Sequence, residues 1–94
     1  MPTIGVLTLE LHLRNSQSLK DKRQVLRSLQ DRLRHRFNVA VAEIDYQDTW
    51  QRALVAAVTV SSDHGIAEKI LRSVEEEAAA LLGSELAGTT VEWL

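Results

Sequence analysis

The sequence predicts an α+β fold: a ferredoxin-like βαββαβ two-layer sandwich, with a four-stranded antiparallel sheet and both helices on one face. Three observations predict it. Four stretches read as strands, the first with strict period-two alternation. Two longer stretches repeat their apolar residues at three- and four-residue spacing. They follow one another as β-α-β-β-α-β with short connections, and two such βαβ units close most simply in this way. A chain of 94 residues is long enough for one domain, spanning residues 1–94, with one core between two layers.

The first strand is TIGVLTLELHL, residues 3–13. Leu7, Leu9, Leu11 and Leu13 line one face, and Ile4, Val6, Thr8, Glu10 and His12 the other. RNSQ is a turn. Ser18 followed by Asp21 then fits a capping box, which opens a helix over about 19–36. Leu26, Leu29, Leu33 and Phe37 form its apolar stripe, with Val25 beside them. NVAVAEI (38–44) and RALVAAVTV (52–60) are β-rich runs joined by the polar loop DYQDTWQ, so they predict a hairpin. Ser62 or Asp63 caps a second helix, whose stripe is Ile66, Ile70, Val74, Ala78 and Leu81. Gly83 stops it, and GTTVEWL (88–94) closes the sheet.

Composition removes several classes of function. With 45% hydrophobic and 26% charged residues and a single proline, the chain is a globule and not a disordered tail. It has no cysteine, which excludes disulfides, thiolate nucleophiles and thiolate metal sites and suits a cytoplasmic location. The start, MPTIGVLTLELHL, lacks the basic opening and small-residue cleavage site of a secretory signal, and no apolar run is long enough to span a membrane.

The net charge of −2 hides an asymmetry. Residues 14–36 hold eight basic and two acidic side chains, a net +6. Residues 37–94 hold three basic and ten acidic ones, a net −7. The segment SLKDKR concentrates Lys20, Lys22 and Arg23 at the start of the first helix, where the helix dipole disfavours cations. The predicted topology offers an explanation. The hairpin loop lies at the same end of the sheet as that helix start. It brings Glu43, Asp45 and Asp48 toward Arg14, Lys20, Lys22 and Arg23. Glu43 and Asp45 are thus candidate structural ion-pair partners. An exposed pair adds only about 0.2–1 kcal/mol, whereas a partly buried Glu43 would matter more. The same cations serve a second reading. Lys20, Lys22, Arg23, Arg27 and Arg34 are candidate contacts for a phosphate or for RNA, continuing from the helix N-terminus as a basic track.

SLKDKRQVLRSL, followed by RFNVAVAEID and then DTWQRA, closely resembles the YlxP-like bacterial proteins, a family of unknown function. The likeness runs over nearly the whole chain. Ser18, Leu19, Lys20, Lys22, Arg23, Phe37, Asn38, Glu43, Trp50 and Arg52 occupy its motif positions. The resemblance implies a small ferredoxin-like domain, with no catalytic residues to carry over. It also implies a genetic setting among bacterial transcription and translation factors, beside a ribosome-binding factor and an initiation factor.

Other chemistries lack their residue patterns. His12, His35 and His64 fall on three elements without metal-ligand spacing, so no metal site is expected. Ser16, Ser18 and Ser84 have no evident base, and Glu75 and Glu77 read as a solvated helix face. No glycine-rich phosphate loop occurs, and no cofactor is expected. The first and third strands contain no aromatic residue, unlike RNA-recognition motifs. The turn RNSQS has no glycine, which also argues against acylphosphatase and amino-acid-sensing ACT domains. Trp50 is expected either to pack over the sheet end and anchor the loop or to be an interface anchor; Trp93 is expected to pack on the sheet.

Two helices cover one face of a four-stranded sheet. The other face is expected to show Ile4, Val6 and Thr8, with Val55, Ala57 and Thr59 from the third strand. Ile4, Val6 and Trp50 are candidate interface residues of a homodimer, formed by sheet-face packing or by edge pairing. The leading expectation is a non-enzymatic accessory domain contacting RNA or the ribosome through its first helix. The alternatives are a dimeric protein–protein adaptor and a sensor of a small anionic ligand at the SLKDKR corner.

Overall fold

A computed structural model describes residues 1–94. The chain runs β1 (Thr3–His12), α1 (Leu19–Arg36), β2 (Ala40–Asp45), β3 (Arg52–Ser61), α2 (His64–Leu82), a 3₁₀ turn (Gly83–Glu85) and β4 (Leu86–Trp93). The strands form one sheet in the order β2-β3-β1-β4, and every neighbouring pair is antiparallel. Both helices lie over one face, which is the ferredoxin-like arrangement.

Local chemistry sets the helix ends. Ser18 Oγ accepts from the Asp21 N–H at 3.1 Å, satisfying one of the free donors of the first turn. Asp21 does not return to Ser18. Its carboxylate accepts from the Gln17 N–H at 3.0 Å, so the reciprocal half of the expected box is displaced by one residue. Asp63, rather than Ser62, caps α2 through the Ile66 N–H. Gly83 ends α2 with φ +57, a backbone angle that a side chain would resist. β2 starts two residues later than expected, and β4 two residues earlier. The register of β4 against β1 slips between Glu10 and Leu11.

The core is one cluster of apolar side chains. Leu7, Leu9, Leu11 and Leu13 meet Leu26, Leu29 and Leu33 from α1 and Leu71, Val74, Ala78 and Leu82 from α2. The α2 stripe is rotated from the expected one: Ile66 and Leu81 are exposed, and Ala67, Leu71 and Leu82 join Val74 and Ala78 inside. A fully buried leucine is worth roughly 1.5–3 kcal/mol relative to exposure.

β3 corrects the expectation for the far face. Val55, Ala57 and Thr59 are buried under the helices. Thr59 solves the problem of its hydroxyl by donating to the Asn38 carbonyl at 2.9 Å. The uncovered face therefore carries the other alternating set: Leu54, Ala56, Val58 and Val60. They pair in register with Glu10, Thr8, Val6 and Ile4 of β1, and Ala42 and Ala40 of β2 lie beside Ala56 and Val58.

The two sheet edges differ. β2 is short and irregular between Glu43 and Asp45, and Arg34 reaches over to donate to the Val41 carbonyl at 2.6 Å. β4 has no such cover. The Leu94 N–H donates to the Ile4 carbonyl, so alternation turns the main-chain groups of Gly88, Thr90 and Glu92 toward β1. Those of Thr89, Val91 and Trp93 turn outward. No helix is long and apolar enough to cross a membrane.

Candidate functional site

The cations of α1 separate into three groups. Lys22 points inward. Only 1% of its surface is exposed, and its ammonium donates to the carbonyls of Tyr46 and of Thr49, the latter at 2.8 Å. Glu43 Oε2 lies 2.7 Å from Nζ. That carboxylate oxygen is buried and accepts no aligned hydrogen bond, so its contact with Lys22 is an ion pair held by charge rather than by lone-pair geometry. Removing either partner would strand the other in a poorly hydrated place. This corrects the reading of Lys22 as a surface contact for an anion: its charge is spent on the hairpin loop.

The loop at residues 46–51 is tied down from several sides. Tyr46 has φ +64, rare for a residue with a side chain, and its N–H donates to its neighbour Asp45 at 2.7 Å. The guanidinium of Arg52 stacks 4.2 Å from the Tyr46 ring centre. The Gln51 amide donates to the carbonyls of Arg14 and Ser16 at 3.3 and 3.2 Å, and the Gln51 carbonyl accepts from the Leu13 N–H. Lys22 and Gln51 thus anchor this loop, while Trp50 stands 51% exposed outside the sheet register. Asp45 and Asp48 make no salt bridge. The expected gathering of acids around the helix start reduces to Glu43 and Lys22.

The second group faces α2. Arg32 and Arg36 each place a guanidinium 3.0 Å from the Glu77 carboxylate. The hydrogen bond from Arg32, with the positive charge of Arg36 and Arg32 nearby, holds the Glu77 carboxyl below its ordinary value. Glu77 was expected to be a solvated acid. Its place between two arginines depends on the helix–helix approach, which no local spacing signals. Glu75, its neighbour in that expectation, accepts from the Thr89 hydroxyl at 2.8 Å.

The third group remains available. Lys20, Arg23 and Arg27 are exposed and make no salt bridge, and Arg34 meets only the Val41 carbonyl. Arg23, Arg27, Gln30 and Arg34 line an open cleft of about 390 Å³ between α1 and β2, with Leu26, Asp31 and Glu43 also on its wall. The cleft sits along the flank of the helix. The helix N-terminus itself is closed by Ser18 and the hairpin loop. The cleft depends on β2 lying beside α1, a long-range approach that no spacing within α1 signals. Chemically, three guanidiniums and one amide can donate to phosphate or carboxylate oxygens.

His12, His35 and His64 stay apart. His64 packs against the Trp93 ring, 4.3 Å between centres. Gly5 makes room for that ring: a Cβ on it would lie 2.5 Å from Trp93 Cζ3 and 2.7 Å from Leu71 Cδ1. Ile4 and Val6 lie on the uncovered face of the sheet.

Fold and site together describe a small ferredoxin-like α+β protein with a basic flank and an uncovered sheet face. Its sequence matches the family described as "Protein of unknown function (DUF503)" over residues 4–91, and the chain belongs to that family. It is 38% identical over 90 residues to the uncharacterized protein YlxP of Bacillus subtilis (strain 168), covering 96% of this chain and 98% of that relative. Among solved structures it is similar to the de novo designed protein Foldit4. The TM-score is 0.62 at 9% identity, covering 100% of this chain and 97% of that one. It is also similar to SnoaB, a cofactor-independent oxygenase from Streptomyces nogalater, with a TM-score of 0.50 at 14% identity over 99% and 90%. A fold shared by a designed protein and an oxygenase does not decide chemistry.

Proposed function

We propose that this chain is a non-enzymatic, cytoplasmic accessory domain of bacterial gene expression that binds RNA through the α1–β2 cleft, and that it works as a homodimer. The carrying observation is the set Lys20, Arg23, Arg27 and Arg34, which remains free of carboxylate partners on one flank of α1 while Lys22, Arg32 and Arg36 are paired internally. The set extends over about 21 Å of helix axis, a track suited to a nucleic-acid backbone. The resemblance to proteins encoded among transcription and translation factors agrees with this reading. The uncovered apolar sheet face supports the homodimer.

Fluorescence anisotropy with single-stranded ribosomal RNA fragments tests the binding. Four phosphate contacts give a slope of log K against log salt of roughly −3. Changing Lys20, Arg23, Arg27 and Arg34 together to Gln is expected to abolish binding, while the Arg32→Gln change, which touches Glu77, leaves it nearly intact. Binding that is absent, insensitive to salt or unaffected by the fourfold change overturns the RNA reading. A nuclease-resistant pull-down that depends on the same four residues would assign the flank to an acidic protein instead.

A further inference from the structure

We infer that the uncovered sheet face is covered by a second copy of this chain, stacked face to face with the two-fold axis running parallel to β1 and β3. The inference rests on the homodimer reading above and specifies its interface. It does not depend on RNA binding.

The face is apolar from its Ile4–Val60 end to its middle and charged at the other end, with Glu92 of β4 beside Val6 at its rim. Ile4, Val6, Leu54, Ala56, Val58 and Val60 form its apolar part, with Thr8 beside Ala56, and Val60 is 56% exposed. Four strands about 4.8 Å apart and about seven residues long give a footprint of roughly 19 by 23 Å. With the relief of branched side chains, such a face reaches the order of 600–800 Å² per copy, which is what each partner brings to a standard interface.

Charge placement selects the axis. Glu10 and His12 of β1 and Arg52 of β3 stand at one end, while Ile4 and Val60 stand at the other. If the axis ran across the strands, Arg52 would lie over the partner's Val60, His12 over the partner's Ile4 and Glu10 over the partner's Val6. Each charge would then be desolvated against hydrocarbon. With the axis along the strands, β3 lies over the partner's β1. Val60 then meets the partner's Ile4, Val58 the partner's Val6, Leu54 the partner's Glu10 and Arg52 the partner's His12, which leaves Arg52 one diagonal step from the partner's Glu10. Within one chain Arg52 and Glu10 are 3.8 Å apart and nearly half exposed, a loose contact that can be shared across the interface. Sheets stacked in this sense pack in the aligned mode, about −30° from parallel.

The edges offer the competing geometry. β2 is closed by its irregularity and by Arg34, but β4 presents Thr89, Val91 and Trp93 with outward main-chain groups. The test must therefore separate face from edge. Sedimentation velocity at micromolar concentration is expected to give twice the 10.5 kDa chain mass. Val58→Lys is expected to give a monomer. Val60→Lys, at an already exposed position, is expected to weaken dimerisation at least tenfold, and it decides the matter if Val58→Lys fails to fold by circular dichroism. Arg52→Glu is expected to weaken the dimer, and adding Glu10→Arg to restore it. Val91→Pro, which removes an outward edge donor, should leave the dimer intact. A wild-type monomer overturns both this inference and the homodimer reading. A dimer that survives Val60→Lys but is lost in Val91→Pro overturns the face assignment alone.

Discussion

Lys22 shows how one residue can carry a charge for structural reasons only. Its ammonium, two loop carbonyls and the Glu43 carboxylate form a small polar centre at the end of an apolar core. Lys22→Met keeps the aliphatic stem but strands Glu43 and two carbonyls. It is expected to cost about 3–5 kcal/mol, a large part of the 5–15 kcal/mol typical of a domain. Glu43→Gln leaves the carbonyl bonds in place and is expected to cost about 1–3 kcal/mol. Denaturant unfolding of both variants checks the order; equal costs would show that the ion pair, and not the loop anchoring, dominates. Gly5 is the second single-residue constraint. Gly5→Ala drives a methyl group into Trp93 and Leu71. The expected cost is about 1–3 kcal/mol, accompanied by a change in tryptophan fluorescence as the ring leaves His64.

At the scale of elements, the α1–α2 contact is electrostatic on its outer side. Because the Glu77 carboxyl titrates below its unfolded value near 4.5, its contribution is complete above that value and is lost as pH falls through the lower folded value. Thermal unfolding between about pH 6 and pH 3 is therefore expected to fall less steeply for Glu77→Gln than for the native chain. A parallel pair of curves would exclude the effect. The same scale shows what could be read from the chain alone. α1 was legible because Ser18 and the Leu26-Leu29-Leu33 spacing agree on one answer. The face of β3 was not, because RALVAAVTV is apolar on both alternating sets; the burial of Val55, Ala57 and Thr59 under the helices marks the inner one. For Lys22 the chain alone supports both a tether to Glu43 and a surface contact for an anion, and only the folded loop decides between them. The carbonyls that capture Lys22 lie 24 and 27 residues away in sequence.

For the whole molecule, the layering separates tasks. The helices and the basic cleft lie on one side of the sheet and the apolar face on the other. A stacked pair would carry its two clefts on opposite outer surfaces and bind two RNA segments independently. Titration is expected to show one strand per chain with no cooperativity; half-site binding would contradict the stacking. Amide exchange offers a separate check. Thr89, Val91 and Trp93 are expected to exchange quickly, and Gly88, Thr90 and Glu92 slowly, because only the latter donate into the sheet. Protection of the first three would point to pairing at the β4 edge.

The hidden ammonium also makes the protein its own conformational reporter. Of the three lysines, Lys20 and Lys69 stand in solvent and Lys22 does not. Acylating reagents should label the first two at once, and Lys22 only when the hairpin loop lifts from the helix. Peptide mass spectrometry of the slow label on Lys22 would time the opening of this corner in the intact chain.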